Sequence, residues 1–197
     1  MQRNQRARTA GMGVTVALGL AASLWLGAPA PARADDAKTQ AVDAGGLSFQ
    51  APADWKSTPP QSSMRRAQLK VPAAEGEASA ELIVFAFPGG AGSVDANVER
   101  WQRTFKDKDG NEPKANVKTV KGKNCEVTRV ELSGSYHPTT FPGQAAQPDI
   151  ENARLLGAIV LTDKTGFFLR LVGPDKTVTA AKPAFDKMLG TMKVEEK

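Results

Sequence analysis

The chain has 197 residues, a formal net charge of +5, one histidine and one cysteine. A lone cysteine excludes an intramolecular disulfide, and one His with one Cys excludes the common three- or four-ligand zinc sites within one chain. A cysteine or serine hydrolase would need His137 as its base, yet nothing nearby marks a nucleophile and no G-x-S-x-G elbow is present.

The first 34 residues read as an export signal. Arg3, Arg6 and Arg8 give a basic start, Met12 to Leu26 an apolar core, and Ala32-Arg33-Ala34 an A-x-A cleavage site. The apolar segment is too short, and too soon followed by Pro29 and Pro31, for a stable membrane span. It has no cysteine to carry lipid and no paired arginines. Cleavage after Ala34 would remove four of the 26 basic residues and none of the 21 acidic ones, so the charge of +5 falls to +1. A nearly neutral exported domain without a basic stripe or interleaved aromatics gives no case for nucleic acid as a partner.

Residues 35–45 are small and polar and read as a flexible mature N-terminus, with one domain over 46–195. Leu47-Ser48-Phe49 alternates as a strand that ends at Pro52. Trp55 is expected as a lid on the core edge, ahead of a loop stiffened by Pro59-Pro60. Arg66 to Val71 alternates as the next strand, and a turn with Gly76 predicts a hairpin into Leu82 to Phe87. That run is unbroken, apolar and short, which favours a strand covered on both faces.

Gly89, Gly90 and Gly92 then supply a sharp turn, Ser93 an N-cap, and Asp95 an acid at the positive end of a helix dipole. Val94, Val98, Trp101 and Phe105 fall on one helical face, which should lie on the sheet. Glu99 precedes Arg103 by one turn, the favourable order for a weak surface pair. Glycines before a helix can cradle phosphate, but neither the Walker loop nor the dinucleotide fingerprint is met. Asp107 to Asn111 has the flavour of a calcium loop, yet Gly110 comes too early and no glutamate closes it.

Asn116–Val120 and Lys123–Leu132 are expected as two strands about a turn at Lys121-Gly122-Lys123. Val127 and Val130 fall on opposite faces, so a bulge or cover on both sides is needed. Cys125 reads as a buried thiol on the second strand, or else as a reactive or bridging one. A long proline-containing loop spans Ser133 to Asn152, with Tyr136, His137, Phe141 and Asp149 as accessory contact residues. Leu155–Leu161 and Phe167–Val172 form a hairpin, the first a central strand. A last helix covers about 180–192, where Pro183 is tolerable in the first turn only. Met188 and Met192 are core filler.

This order, with Trp55, Met64-Arg65, Glu81 to Phe87, Gly89 to Trp101, Leu155 to Ile159 and Phe167 to Pro174, resembles a family of uncharacterised exported bacterial proteins. More distantly it resembles the Mog1/PsbP-like fold. The resemblance implies a single α+β domain, a central antiparallel sheet of about six to seven strands with helices on its faces. PsbP relatives are lumenal, non-enzymatic assembly or stabilising factors, and Mog1 relatives bind a nuclear GTPase. No short motif carries either role across.

The expected function is therefore a non-catalytic envelope or secreted domain that binds a protein partner or small ligand, without a cofactor, metal or catalytic residue. Candidate contacts are the turn at Gly89, Gly90, Gly92 and Ser93, with Arg65 near it, and Tyr136 and His137 on the long loop. Two alternatives stand beside it. One is a carboxylate-based hydrolase drawing on Asp54, Glu81, Asp95 and Glu99; the other is a structural envelope protein that oligomerises through Cys125.

Overall fold

The structure, a computed structural model, describes residues 38–60, 62–139 and 148–195. The export segment, its cleavage site and Phe141 lie outside the described residues. All described residues belong to one compact unit, Asp35–Lys197.

The first half runs β1 (Thr39–Asp43), β2 (Leu47–Pro52), β3 (Lys56–Ser57), β4 (Arg65–Val71), β5 (Ala80–Pro88) and α1 (Val94–Gln102). The second runs β6 (Phe105–Lys106), β7 (Asn116–Lys121), β8 (Glu126–Tyr136), β9 (Ile150–Leu161), β10 (Thr165–Pro174), α2 (Asp175–Leu189) and β11 (Lys193–Val194). An eight-stranded antiparallel sheet has the order β3-β4-β5-β10-β9-β8-β6, with β7 also paired to β8. A separate three-stranded sheet has the order β1-β2-β11.

The layers follow from side-chain alternation. Along β9, Leu156, Ala158 and Val160 face one core, whereas Leu155 and Ile159 face the other. Burial on both sides is why this strand reads as an unbroken apolar run. On the first face α2 contributes Val178, Phe185, Met188 and Leu189, and β2 contributes Leu47 and Phe49. On the opposite face Val98 and Trp101 of α1 pack with Val130, Leu155, Ile159 and Phe168. Val127 and Val130 indeed point into different cores, so both sides of β8 are covered. Trp55 is buried at 3% exposure, as a core lid should be.

Several expectations change. The main sheet has eight strands rather than six or seven, and β2 leaves it for the smaller sheet. The extra strands β3, β6 and β11 are two residues each, too short to show any alternation. Thr39–Asp43, expected to be flexible, pairs with β2 through the Gly45–Gly46 turn. Helix α1 stops at Gln102, so Phe105 is buried from β6 and not from the helix. Strands β8 and β9 extend to Tyr136 and from Ile150, which shortens the expected 133–152 loop at both ends.

Helix α2 begins at Asp175, which places Pro183 in its interior and not in the first turn. A proline there leaves the carbonyl of Thr179 without its intrahelical donor. Both residues lie on the solvent side, where water can satisfy that carbonyl. Pro183→Ala should restore the bond and raise stability by about 1–3 kcal/mol. A urea melt checks this; an unchanged midpoint would mean the helix already absorbs the proline without cost.

Candidate functional site

The glycine turn forms as its residues dictate. Gly89, Gly90 and Gly92 have φ of 80°, 89° and 86°, in the left-handed region that only glycine enters readily. Ser93 caps α1, its Oγ accepting from the Ala96 N–H at 3.2 Å. The buried Asn97, which no sequence pattern singled out, holds the turn from below. Its side-chain amide donates to the carbonyls of Ala91 (2.9 Å) and Ser93 (2.8 Å) and accepts from Arg100 (2.9 Å). The turn's polar groups are thus largely committed to its own connection.

Tyr136 is not on an exposed loop. It ends β8, is 6% exposed, and its ring packs 5.1 Å from that of Phe105. His137 is exposed, and its Nδ1 lies 2.8 Å from Asp149 Oδ2. Arg65 does not join the turn either. It pairs with Phe85 across β4 and β5, and its guanidinium donates to Gln68 Oε1 at 2.9 Å and lies 4.0 Å from Glu81. Glu81 and Gly89 are on opposite sides of Phe85 along β5, so the Arg65 side chain reaches away from the glycines.

Cys125 sits in the β7–β8 turn, half-buried, and not on the strand. The turn is stitched to the C-terminal segment: the Asn124 amide donates to the Val194 carbonyl and accepts from the Val194 N–H, both at 2.8 Å. The thiol lies 3.7 Å from the Met192 carbonyl. Burial pushes its pKa above the ordinary 9.0, partly offset by the backbone at Asn124 and Val194. A raised thiol pKa means little thiolate at neutral pH and hence low reactivity. A disulfide reagent near pH 8 should label it at least about tenfold more slowly in the folded protein than in urea. The folded chain holds this proton more tightly than the unfolded chain. The resulting stability is complete below 9.0 and is lost as pH rises through the folded-state value. Cys125→Ser should therefore lose less stability than wild type on alkaline titration.

The carboxylates that converge are not those the sequence suggested. Glu131 on β8, and Asp175 and Asp186 on α2, gather around Arg129, Arg154 and Lys182 where the α2-side core ends. Arg129 reaches Asp186 at 2.6 Å and Glu131 at 3.0 Å. Arg154 also bonds Glu131, and meets Asp175 at 2.8 Å. Lys182 lies 3.1 Å from Asp186. Each acid is ion-paired, so the cluster fastens α2 to β8 and β9. Their separation in sequence, across two strands and a helix, hid it.

A pocket of about 400 Å³ opens where β3, β4 and β5 meet. Gln68, Lys70 and Glu81 line it from the strands, beside Thr58, whose backbone N–H donates to the Gln68 carbonyl at 2.9 Å, and Pro59. Gln68 is 3% exposed and donates to Glu81 Oε1 at 2.6 Å while accepting from Arg65. Register puts this wall on the α1 side of the sheet: Gln68 pairs with Ile83, and Lys70 with Glu81. Helix α1 itself packs on β6 and β8, at the other end of that face. The sequence signal was slight, one glutamine and one glutamate at inward strand positions.

A central antiparallel sheet, with α1 on one face and α2 with a small sheet on the other, defines a PsbP/Mog1-like α+β sandwich. Among solved structures, that of cyanobacterial PsbP (CyanoP) from Synechocystis aligns at a TM-score of 0.50 and 13% identity, over 84% of this chain and 98% of that one. LpqN of Mycobacterium tuberculosis, described as involved in cell envelope biogenesis, aligns at 0.50 and 11% identity, over 81% and 91%. A Bacteroides thetaiotaomicron structure aligns at 0.46 and 12% identity over 81% of this chain, which spans 49% of that chain. No family model and no curated protein matches the sequence. Among the described residues no helix is long and apolar enough to cross a membrane.

Proposed function

We propose that this chain is an exported, non-catalytic domain that binds a small ligand or a protein partner in the cell envelope. The observation that carries the reading is the pocket beside β4 and the start of β5, lined by the buried Gln68 and by Glu81, which are hydrogen-bonded to each other and held from outside the pocket by Arg65. Ligand sites combine a concave surface with a few fixed polar groups, and this wall supplies them. Export is supported by the basic, apolar and A-x-A order of residues 1–34. An envelope role is in keeping with the description of LpqN, which shares the fold.

Native mass spectrometry of the protein isolated from its own host's exported fraction tests both parts. The expected result is a chain beginning at Asp35 that carries a mass excess or a partner, lost in Gln68→Leu. Recovery of the chain with residues 1–34 intact in the cytoplasm would overturn export. An unadorned mass, together with no crosslinked partner around Thr58 and Lys70, would overturn the binding role.

A further inference from the structure

Arg170 interrupts an otherwise apolar strand, Phe167-Phe168-Leu169-Arg170-Leu171-Val172. Register fixes its surroundings, because residues directly opposed across an antiparallel pair share a face. Arg170 lies opposite Ile83 on β5 and opposite Gly157 on β9. Ile83 in turn lies opposite Gln68, the buried residue of the pocket wall. One row across the sheet therefore reads Gln68, Ile83, Arg170, Gly157. It runs from the pocket to the point where Gly157 receives the Trp101 ring of α1.

On this row the Arg170 guanidinium stands over the Phe85 ring, 5.5 Å from its centre. Its Nε is buried and has no hydrogen-bond partner among the described residues. Such donors are rare in folded proteins, since an unmet buried N–H loses its hydration for nothing. Arg170 also has no carboxylate within ion-pair distance among the described residues, unlike Arg129 and Arg154 on the other face. On this face, strands β4, β5 and β10 present Arg65, Lys70 and Arg170 against one carboxylate, Glu81. Arg65 and Arg170 stand on the two strands that flank Phe85.

We propose that Arg170, with Arg65 across Phe85, binds the oxyanion of a ligand, a carboxylate or a phosphoryl group, on the sheet face beside the β3–β5 pocket. The inference rests on the binding role proposed above and names the chemistry of what is bound. The guanidinium fork matches either oxyanion, and the Phe85 ring over which it stands adds a cation–π contact. The pocket next to it, bounded by Gln68 and Pro59, would take the rest of the molecule.

The test is titration of the ¹⁵N-labelled protein, as its host processes it, with inorganic phosphate, with benzoate, and with chloride at equal ionic strength. The Arg170 Nε–Hε resonance is the reporter. The expected result is a saturable shift with phosphate or with benzoate, absent with chloride, and the responding probe distinguishes a phosphoryl from a carboxylate ligand. Arg170→Gln should weaken that binding about tenfold or more, followed at the Gln68 side-chain amide. If that variant fails to fold, Arg170→Lys, which keeps the charge and loses Nε, should weaken it likewise. No saturable shift with either probe, or unchanged affinity in the folded variants, overturns the proposal. A native adduct that survives Arg170→Gln would sink the oxyanion site and leave the binding role standing. Saturable oxyanion binding without any native adduct or partner would do the reverse.

Discussion

Gly157→Val is expected to lower stability by about 3 kcal/mol, the upper range for overpacking a filled core. Gly157 lies in the middle of β9, where glycine ordinarily weakens a strand. Here it makes room for the Trp101 indole. A Cβ at this position would stand 2.2 Å from Trp101 Cζ3 and 3.0 Å from two further ring carbons. The ring is buried in one cluster with Val130 and Ile159, so clearing that overlap requires the indole, and with it α1, to shift. For a chain of this size the loss corresponds to a melting temperature lower by roughly 6–12 °C. Trp101→Leu should be destabilising alone, yet the double variant with Gly157→Val should lose less than the sum of the two single losses. Calorimetry of the four proteins measures the coupling. Strict additivity would show that α1 does not depend on this notch.

The second large effect is expected on the opposite face. Arg129 is 5% exposed and bridges Glu131 and Asp186, so Arg129→Met leaves two acids short of a partner beneath α2. Breaking a buried pair from one side costs about 3–5 kcal/mol. Glu131 keeps Arg154, and Asp186 has a side chain 39% exposed, so the lower end, about 3 kcal/mol, is the expectation. Arg129→Met with Asp186→Leu should recover part of it, because an apolar pair replaces an ion pair better than an orphan does. Salt separates this network from surface pairs. The loss should persist in 1 M salt, where the Debye length is about 3 Å. The Glu99–Arg103 pair, 64% and 65% exposed, should contribute nothing measurable there. Urea melts at both ionic strengths decide it, and a loss abolished by salt would mean that the cluster is effectively solvated.

Local chemistry was legible in the residues. Short apolar runs named the central strands β5 and β9, because a segment buried on both faces is apolar throughout, and the turn after β9 named β10 as its hairpin partner. Three glycines followed by Ser93 named the turn and cap of α1, since positive φ and an N-terminal acceptor are local needs. Val98 and Trp101 named the face that α1 buries, although the helix end escaped, because Phe105 is equally apolar in a strand.

Other features depended on residues far apart in sequence. Strand β1 is half polar on each face and exists because β2 is beside it. Pro183 sits inside α2 because the face it disturbs is turned to solvent. Tyr136 left the loop for the core because Phe105 is there to receive it, and Arg65 turned from the glycines toward Gln68 and Glu81.

The sequence alone thus determined composition-level exclusions, the α+β class and the local turns, all of which depend on neighbouring residues or on residue counts. Tertiary structure decided which face each charged strand residue joins, and so which charges are compensated. Arg129 and Arg154 meet acids and become structural, whereas Arg170, on the other side of the same sheet, stands over Phe85 and pairs with no acid among the described residues. Each is an arginine within a β-strand in the sequence, and long-range strand register alone sets their different partners.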